Sequence, residues 1–484
     1  MTQFSNLNQF DMVYALTQET VNKQFELLSV FGVLPTTWHV SIKKGLYGVD
    51  SELGTPTVGF NTGDSSSRRV NMYIPITKGT LTYSTILGID DNGKVLVKTD
   101  THDITNAKLT FKVNVSIAEI AATYKDSKLI PKTVKEQLTN FDDSMFSIQH
   151  LFLNFEDANL LDSFELDTSG VSAGVPGTDD PEFINNVKAL FKAFIEPLKG
   201  SDNPYVLGYS AVDRKVESSD ATWKPTGVTY SVYSDAAHLN RSSINYLLVT
   251  DGKNVPGSGA GLFNHNWVFA DNVQGTFVFS QELVMKNILD AIAKQMNIHY
   301  DKFERDGTLI RYQVTIPNDI GGNTTCSVVP KVTTNQIIAN FVATYKKDVH
   351  DKAGSYIGYI DGDIRWTTAF RYDVDSAKGT ISVNVSSTDQ ARTENEHKNA
   401  LGEFEDVLAD FADAFISVFT FGQVNDVFNN MVKEDWSLSI STSLSADIQG
   451  LKTRIILPGG SEIMFKDVRF YEEGSMLLST TVRN

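Results

Sequence analysis

Four short stretches carry residue types that could do chemistry. Gly170-Val171-Ser172-Ala173-Gly174 has the G-x-S-x-G spacing that exposes a nucleophilic serine when it joins a buried strand to a helix. Here it lies in a Gly/Ser/Asp-rich passage from Asp167 to Asp180, and Pro176-Gly177 interrupts any helix that would follow directly. The context for an elbow is missing, and a loop is the better reading. Asp90-Asp91-Asn92-Gly93 has the carboxylates of a calcium loop. Aligning Gly93 with the loop glycine, however, puts Gly88 at the first ligand position and Thr99 where a bidentate glutamate belongs. Asp91-Asn92-Gly93 between two apolar runs instead predicts a hairpin turn. Gly257-Ser258-Gly259-Ala260-Gly261 lacks the third glycine spacing of a dinucleotide loop and the lysine of a phosphate loop. Asp361-Gly362-Asp363 could hold a cation, but a solvated turn is the simpler expectation.

The remaining polar chemistry is dispersed. Eight histidines are scattered along the chain, with no H-E-x-x-H or similar close pair. His265, between Asn264 and Asn266 and just before Trp267, reads as a hydrogen-bonded loop residue. The single cysteine, Cys326, allows no intramolecular disulfide and excludes Cys₂His₂ and Cys₄ zinc sites. Asn323-Thr324-Thr325 is a formal glycosylation sequon that carries little weight without a secretion signal. No catalytic residue and no metal ligand is assigned, no cofactor is expected, and the chain is not expected to be an enzyme.

Charge bounds the partners. With 42 Lys+Arg against 59 Asp+Glu the net charge is −17, which disfavours nucleic acid and non-specific adhesion to anionic membranes. A hydrophobic fraction of 41% and a charged fraction of 21% suit a folded globular protein. No apolar run reaches the roughly 18 residues of a membrane helix, so only peripheral membrane contact is expected. The opening MTQFSNLNQFDMVYAL has no positive n-region and no apolar signal core. The expectation is therefore a soluble protein, cytoplasmic or released by a leaderless route.

Elements must position whatever function exists. From Leu262 to Met296 the chain runs through a loop, a short apolar strand at Phe277-Val278-Phe279, and a helix after a Ser280 N-cap. Val284, Met285, Ile288, Leu289, Ile292 and Met296 recur there at helical spacing. A first helix is expected over about Asp11 to Ser29, with Val13, Tyr14, Val21, Phe25 and Leu28 on its apolar face and Asp11 favourable at its start. Thr37 to Ile120 reads as strand, with Leu109, Phe111, Val113, Val115 and Ile117 alternating inward. A helix from about Glu182 to Leu198 would bury Ile184, Val187, Leu190, Phe191, Phe194 and Ile195, and Pro197 and Gly200 close it. The last long helix begins near Gly402, with Phe404, Val407, Leu408, Phe411, Phe415 and Val418 on one face. If it continued to Met431 it would be about 45 Å long. Leu438-Ser439-Ile440-Ser441 returns to strand-like alternation. The order implies α+β rather than βαβ repeats. It divides at about residue 200 into an N-terminal strand-rich subdomain, 1–200, and a C-terminal one with two long helices, 201–484; one continuous unit is the alternative.

Asp11-Met12-Val13-Tyr14-Ala15 with Val21-Asn22, and Trp267 with Phe277-Val278-Phe279-Ser280 leading into Ile288-Leu289, resemble the P47 family, which is encoded beside clostridial neurotoxins and related insecticidal toxins and is akin to the OrfX proteins. The resemblance implies an elongated tubular lipid-binding (TULIP-like) architecture in which curved antiparallel sheets wrap long helices. It also implies a non-enzymatic role with a toxin complex, binding lipid or aiding toxin delivery. The partners would then be a lipid or other apolar ligand and toxin-complex proteins. The candidate apolar lining is Val284, Ile288 and Ile292 on one helix and Phe404, Phe411 and Phe415 on the other, although periodicity alone also fits ordinary core. Two competing expectations keep the fold: a ligand-free scaffold of a toxin assembly, and an insecticidal or membrane-active toxin in its own right.

Overall fold

The computed structural model describes residues 7, 9–63, 68–120, 122–156, 159–172, 175, 180–200, 203–215, 223–257, 266–270, 272–295, 299–305, 312–317, 323–350, 353–398, 434–471 and 474–484. These residues are mostly sheet, in three antiparallel sheets, with few helices. The helices are α1 (Gln18–Val30), α2 (Lys132–Leu138), α3 (Pro181–Ile195), α4 (Gln281–Gln295) and α5 (Glu434–Arg454).

The first sheet has six strands in the order Pro225–Tyr233, Ser243–Thr250, Met12–Thr17, Gly275–Phe279, Met476–Arg483, Glu462–Phe470. Met12–Thr17 was expected to open a helix; it is a strand instead, buried at every position. MVYALT has apolar residues on both sides of a two-residue period, and both sides are needed because both faces are covered. Tyr14 pairs with Tyr246 on one edge and Phe277 on the other. The helix begins only at Gln18, where Thr17 Oγ1 accepts from Thr20 N at 3.3 Å. Asp11 therefore caps no helix. Its buried carboxylate accepts from Thr250 N at 2.8 Å, Thr250 Oγ1 at 3.1 Å and Lys253 Nζ at 2.6 Å. Asn22 clamps the Thr57–Gly59 strand, donating to Val58 O at 3.1 Å and accepting from Val58 N at 2.7 Å.

The second sheet has ten strands, and the sheet structure includes a curled half-barrel. Its path is Thr37–Ile42, Tyr47–Leu53, Arg69–Ile89, Lys108–Glu119, Phe146–Asn154, Val206–Asp213 and Ile455–Ile456, with Thr57–Gly59, Val95–Asp103 and Glu165–Asp167 attached beside it. Leu109, Phe111, Val113 and Val115 point into the main core as their alternation requires. α1 and α3 also contribute to that core, α3 through Phe183, Val187, Leu190 and Phe191. Ile184, expected on the buried side of α3, is 38% exposed, because the stripe is narrower than the sequence allowed. The expected turn is present: Asn92 N and Lys94 N donate to Asp90 Oδ1 at 2.9 and 2.8 Å, and Gly93 takes φ +78°.

The third sheet is a six-stranded meander from Glu304–Arg305 to Thr380–Lys398. Asp361-Gly362-Asp363 lies inside its strand Tyr356–Asp375 rather than in a turn. Partners within the sheet explain the acids: Asp361 meets Asn395 and His397 across the ladder, and Asp363 meets Thr393 across it and Arg365 two residues along its own strand. Leu438 to Ser441, expected as strand, belongs to α5. Ile440, Leu444, Ile448 and Leu451 hold a helical period far longer than the four-residue alternation that suggested a strand. On another face, Ser441 Oγ, Ser445 Oγ and Gln449 Oε1 accept from Val385 N, Val383 N and Ile381 N at 3.0, 2.8 and 3.1 Å. The helix thus supplies acceptors to three N–H groups on the outer edge of the last strand.

Strand pairing runs across residue 200 repeatedly, Met12–Thr17 with Ser243–Thr250 and Phe146–Asn154 with Val206–Asp213. Replacing Asp11 by Ala removes the acceptor for two buried donors of Thr250. A loss of about 2–3 kcal/mol is expected in denaturant unfolding, with a smaller loss for Asp11→Asn; an Asp11→Ala protein as stable as the parent would refute that role.

Candidate functional site

α4 presents the predicted lining. Ser280 caps it, its Oγ accepting from Leu283 N at 3.2 Å. The strand before it is buried throughout; Phe277 stacks on Tyr14 at 4.2 Å and Phe279 meets Trp223 edge-on at 5.2 Å. Val284, Ile288 and Ile292 are fully buried and join the main core together with Leu283, Met285, Leu289 and Ala293. Asn287 and Asp290 are buried as well, so α4 is covered around most of its circumference rather than along one stripe. Lys286 reaches out to Asp251 and lies 4.9 Å from the Tyr300 ring. Burial opposes its charge, and the bonds to Asp251 and Tyr300 outweigh that, leaving its pKa raised. Phe404, Phe411 and Phe415, with the whole helix expected from Gly402 to Met431, lie outside the described residues. His265 does too. Trp267 is buried in a separate cluster on the opposite face of the first sheet, with Val13, Leu247, Val278 and Leu477.

Ser172 follows a turn in which Val171 N donates to Thr168 O at 2.9 Å, and α3 begins only at Pro181. Gly170 sits against the Asn106 carbonyl with no room for a Cβ, which gives that glycine a packing reason. Among the described residues, no group of three or more His, Cys, Asp or Glu is placed to hold a metal ion.

Open volume lies elsewhere. A cleft of about 450 Å³ is lined by Lys452, Glu462 and Arg483, but Glu462 is bonded to both cations. A second, of about 690 Å³, separates Asp162–Ser169 from Phe183, Ile184 and Val187 of α3. The third is about 870 Å³, on the outer face of the ten-stranded sheet. Along Phe146–Asn154, Leu151 and Leu153 face the main core, whereas Ile148 and Phe152 face a small outer core with Tyr124, Val134, Leu138, Val206, Tyr209 and Ile456. The segment from Tyr124 to α2 closes over this face and leaves the cleft beside it. Ile120, Leu129, Ile130, Phe152 and Val206 supply its hydrocarbon walls.

His150 and Tyr124 stand among the polar residues of those walls. His150 stacks on Phe152 at 4.7 Å, and its Nδ1 is 2.8 Å from Ala118 O. A carbonyl only accepts, so Nδ1 carries the proton and Nε2 is the acceptor of the neutral ring. Burial holds the pKa of His150 below its ordinary value against the opposing pull of that carbonyl. Tyr124 is 4% exposed, and its buried hydroxyl has no hydrogen-bond partner among the described residues. Burial and the charge of Asp143 raise its pKa. None of these residues was picked out from the sequence. The available signal was the run Ile148, His150, Phe152 opposite Leu151 and Leu153, a strand with apolar residues on both faces that must be covered twice.

The whole architecture has counterparts among solved structures. P47 of Clostridium botulinum E1 superposes with a TM-score of 0.57 at 12% identity, over 99% of this chain and 100% of that one. P47 from Clostridium botulinum A2 gives 0.52 at 14% identity, over 98% of each chain. The fold is P47-like. A lipopolysaccharide binding protein aligns over 98% of this chain and 99% of its own at 9% identity, but a TM-score of 0.29 is too low to carry an inference. No family model and no curated protein matches the sequence. At these identities the P47-like fold is an agreement of architecture, not of site residues.

Below about pH 6.5 the unfolded chain binds a proton at His150 that the folded protein resists, so this group removes stability as pH falls. Thermal unfolding of wild type should therefore drop more between about pH 7.5 and about pH 5.5 than that of His150→Phe, which keeps the stack. Parallel pH profiles would contradict a buried neutral imidazole.

Proposed function

We propose that this protein is a non-enzymatic binder of a lipid or other apolar ligand that works with a bacterial toxin system, in a TULIP-like tube of curved sheets and long helices. The carrying observation is the cleft of about 870 Å³ with hydrocarbon and aromatic walls on a P47-like frame. That volume is in the range of small-molecule sites, roughly 300–1,000 Å³. Among the described residues no helix is long and apolar enough to cross a membrane. The toxin-associated role rests on the P47 likeness and is an extension of it. Native mass spectrometry and lipid extraction of the full chain test the reading: a bound lipid, or uptake from vesicles, is expected. A protein that is consistently empty and ignores vesicles overturns it. Ser172→Ala should match the parent in a broad esterase screen; a hydrolytic activity lost with that hydroxyl would overturn the non-enzymatic assignment.

One feature favours the scaffold reading beside it. The hairpin of Arg69–Ile89 with Val95–Asp103 extends beyond its sheet, and its tip exposes Ile86, Leu87, Ile89, Val95, Leu96 and Val97, with Leu87 at 65% and Ile89 at 69%. Ile86 pairs with Val97 and Ile89 with Val95, so four of these share one face. A contiguous apolar ribbon in water marks a protein contact. Sedimentation with toxin-complex proteins should show a stoichiometric complex that Ile86→Lys/Val97→Lys does not form. Undiminished association of that variant would remove the hairpin from the interface.

A further inference from the structure

We infer that the outer-face cleft takes an uncharged single-chain amphiphile, its chain against Ile120, Leu129, Ile130 and Phe152 and its hydroxyl head at Tyr124 and His150. This inference rests on the ligand-binding reading above and names the class of ligand. The first argument is the Tyr124 hydroxyl. Tyr124 lines the cavity, and its buried hydroxyl has no hydrogen-bond partner among the described residues; leaving such a group unsatisfied costs about 1–3 kcal/mol. The second is complementarity. Tyr124 offers a donor and neutral His150 an acceptor at Nε2, and a hydroxyl group can accept from the one and donate to the other. A carboxylate head accepts only.

The third argument is where charge stands. Asp126, Lys128 and Glu156 line the cleft but are exposed, and exposed pairs contribute little. Glu119 is held by Arg214. The deeper polar groups are uncharged: Tyr124, Tyr209, His150, and Asn203, which donates to Leu153 O at 2.5 Å and accepts from Tyr205 N at 2.9 Å. A charged head buried among them would lose its hydration without a counter-charge. The volume suits one chain with a small head better than a two-chain phospholipid.

The test is equilibrium binding of 1-monooleoylglycerol, oleate and oleylamine to the full chain, each below its aggregation threshold. Monooleoylglycerol should bind at least about tenfold more tightly than either charged analogue. Tyr124→Phe keeps the ring and should weaken it by about five- to tenfold, and Leu129→Trp, which fills the cleft, should abolish it. Ile130→Trp serves if Leu129→Trp does not fold. Equal or tighter binding of oleate or oleylamine overturns the assigned head group. Binding that neither the Tyr124 nor the filling variant alters places the ligand elsewhere. If native mass spectrometry shows bound lipid while monooleoylglycerol is not retained, the cleft assignment fails and the ligand-binding reading stands; if nothing binds, both fail.

Discussion

Every backbone N–H and C=O of Met12–Thr17 must find its partner inside the protein, because each of its residues is buried and water cannot reach them. That requirement ties the strand to Ser243–Thr250 on one edge and Gly275–Phe279 on the other, segments more than two hundred positions away in the sequence. Gly275–Phe279 in turn pairs with Met476–Arg483. Three remote parts of the chain are thereby fixed in one sheet. α1 and α4 leave that sheet directly from its strands, so its register also sets where their apolar faces enter the core. Asp11 locks the same point, since its carboxylate holds the end of Ser243–Thr250 through Thr250 and the following turn through Lys253.

Edges pose the complementary problem. On the third sheet, Ser441, Ser445 and Gln449 stand one helical turn apart along α5 and match the two-residue spacing of Ile381, Val383 and Val385. Two strand residues cover about 6.6 Å and four helical residues about 6 Å, so the two periods nearly coincide and successive side chains reach successive N–H groups. Among the described residues, the hairpin tip at Ile86–Val97 has no such cover. A two-stranded ribbon with six large apolar side chains in water gains little from its own burial, which is why a contact surface accounts for it better than a folding role.

How much was legible in the sequence follows from how far each signal reaches. Leu109 to Val115, the Asp91-Asn92-Gly93 turn and the Ser280 cap are local patterns with local causes, and they appear as expected. Met12–Thr17 failed because an apolar run without a polar face fits a doubly buried strand and a helix equally well, and only the pairing across the chain decides between them. Leu438–Ser441 failed in the opposite direction, since four alternating residues were weighed without the helical period that continues to Leu451. The P47 resemblance drew on two strands of the first sheet, at Met12–Ala15 and Phe277–Phe279, and on α1 and α4, which leave those strands, so it followed the fold rather than any site. It could not indicate the outer cleft. Tyr124, His150 and Tyr209 come from three separate segments, and nothing in their spacing shows that they meet.

The contrast between α4 and the cleft bears on where a ligand belongs in such a fold. Val284, Ile288 and Ile292 are surrounded by other apolar side chains, and their polar neighbours are already partnered: Asn287 donates to Leu283 O at 2.9 Å and Asp290 lies 2.8 Å from Lys294. The cleft combines features that packing alone does not require. It has volume, hydrocarbon walls, a buried hydroxyl without a partner among the described residues and an imidazole whose tautomer is set by Ala118. A fold selected only for stability would gain by closing that space or turning Tyr124 toward an acceptor, since an unsatisfied buried hydroxyl weighs against folding. The second layer of side chains on Phe146–Asn154 creates the wall, and the segment from Tyr124 to α2 stops short of sealing it. The ten-stranded sheet therefore leaves an open cleft with hydrocarbon walls on the side away from its main core, and it is there that we place the proposed ligand.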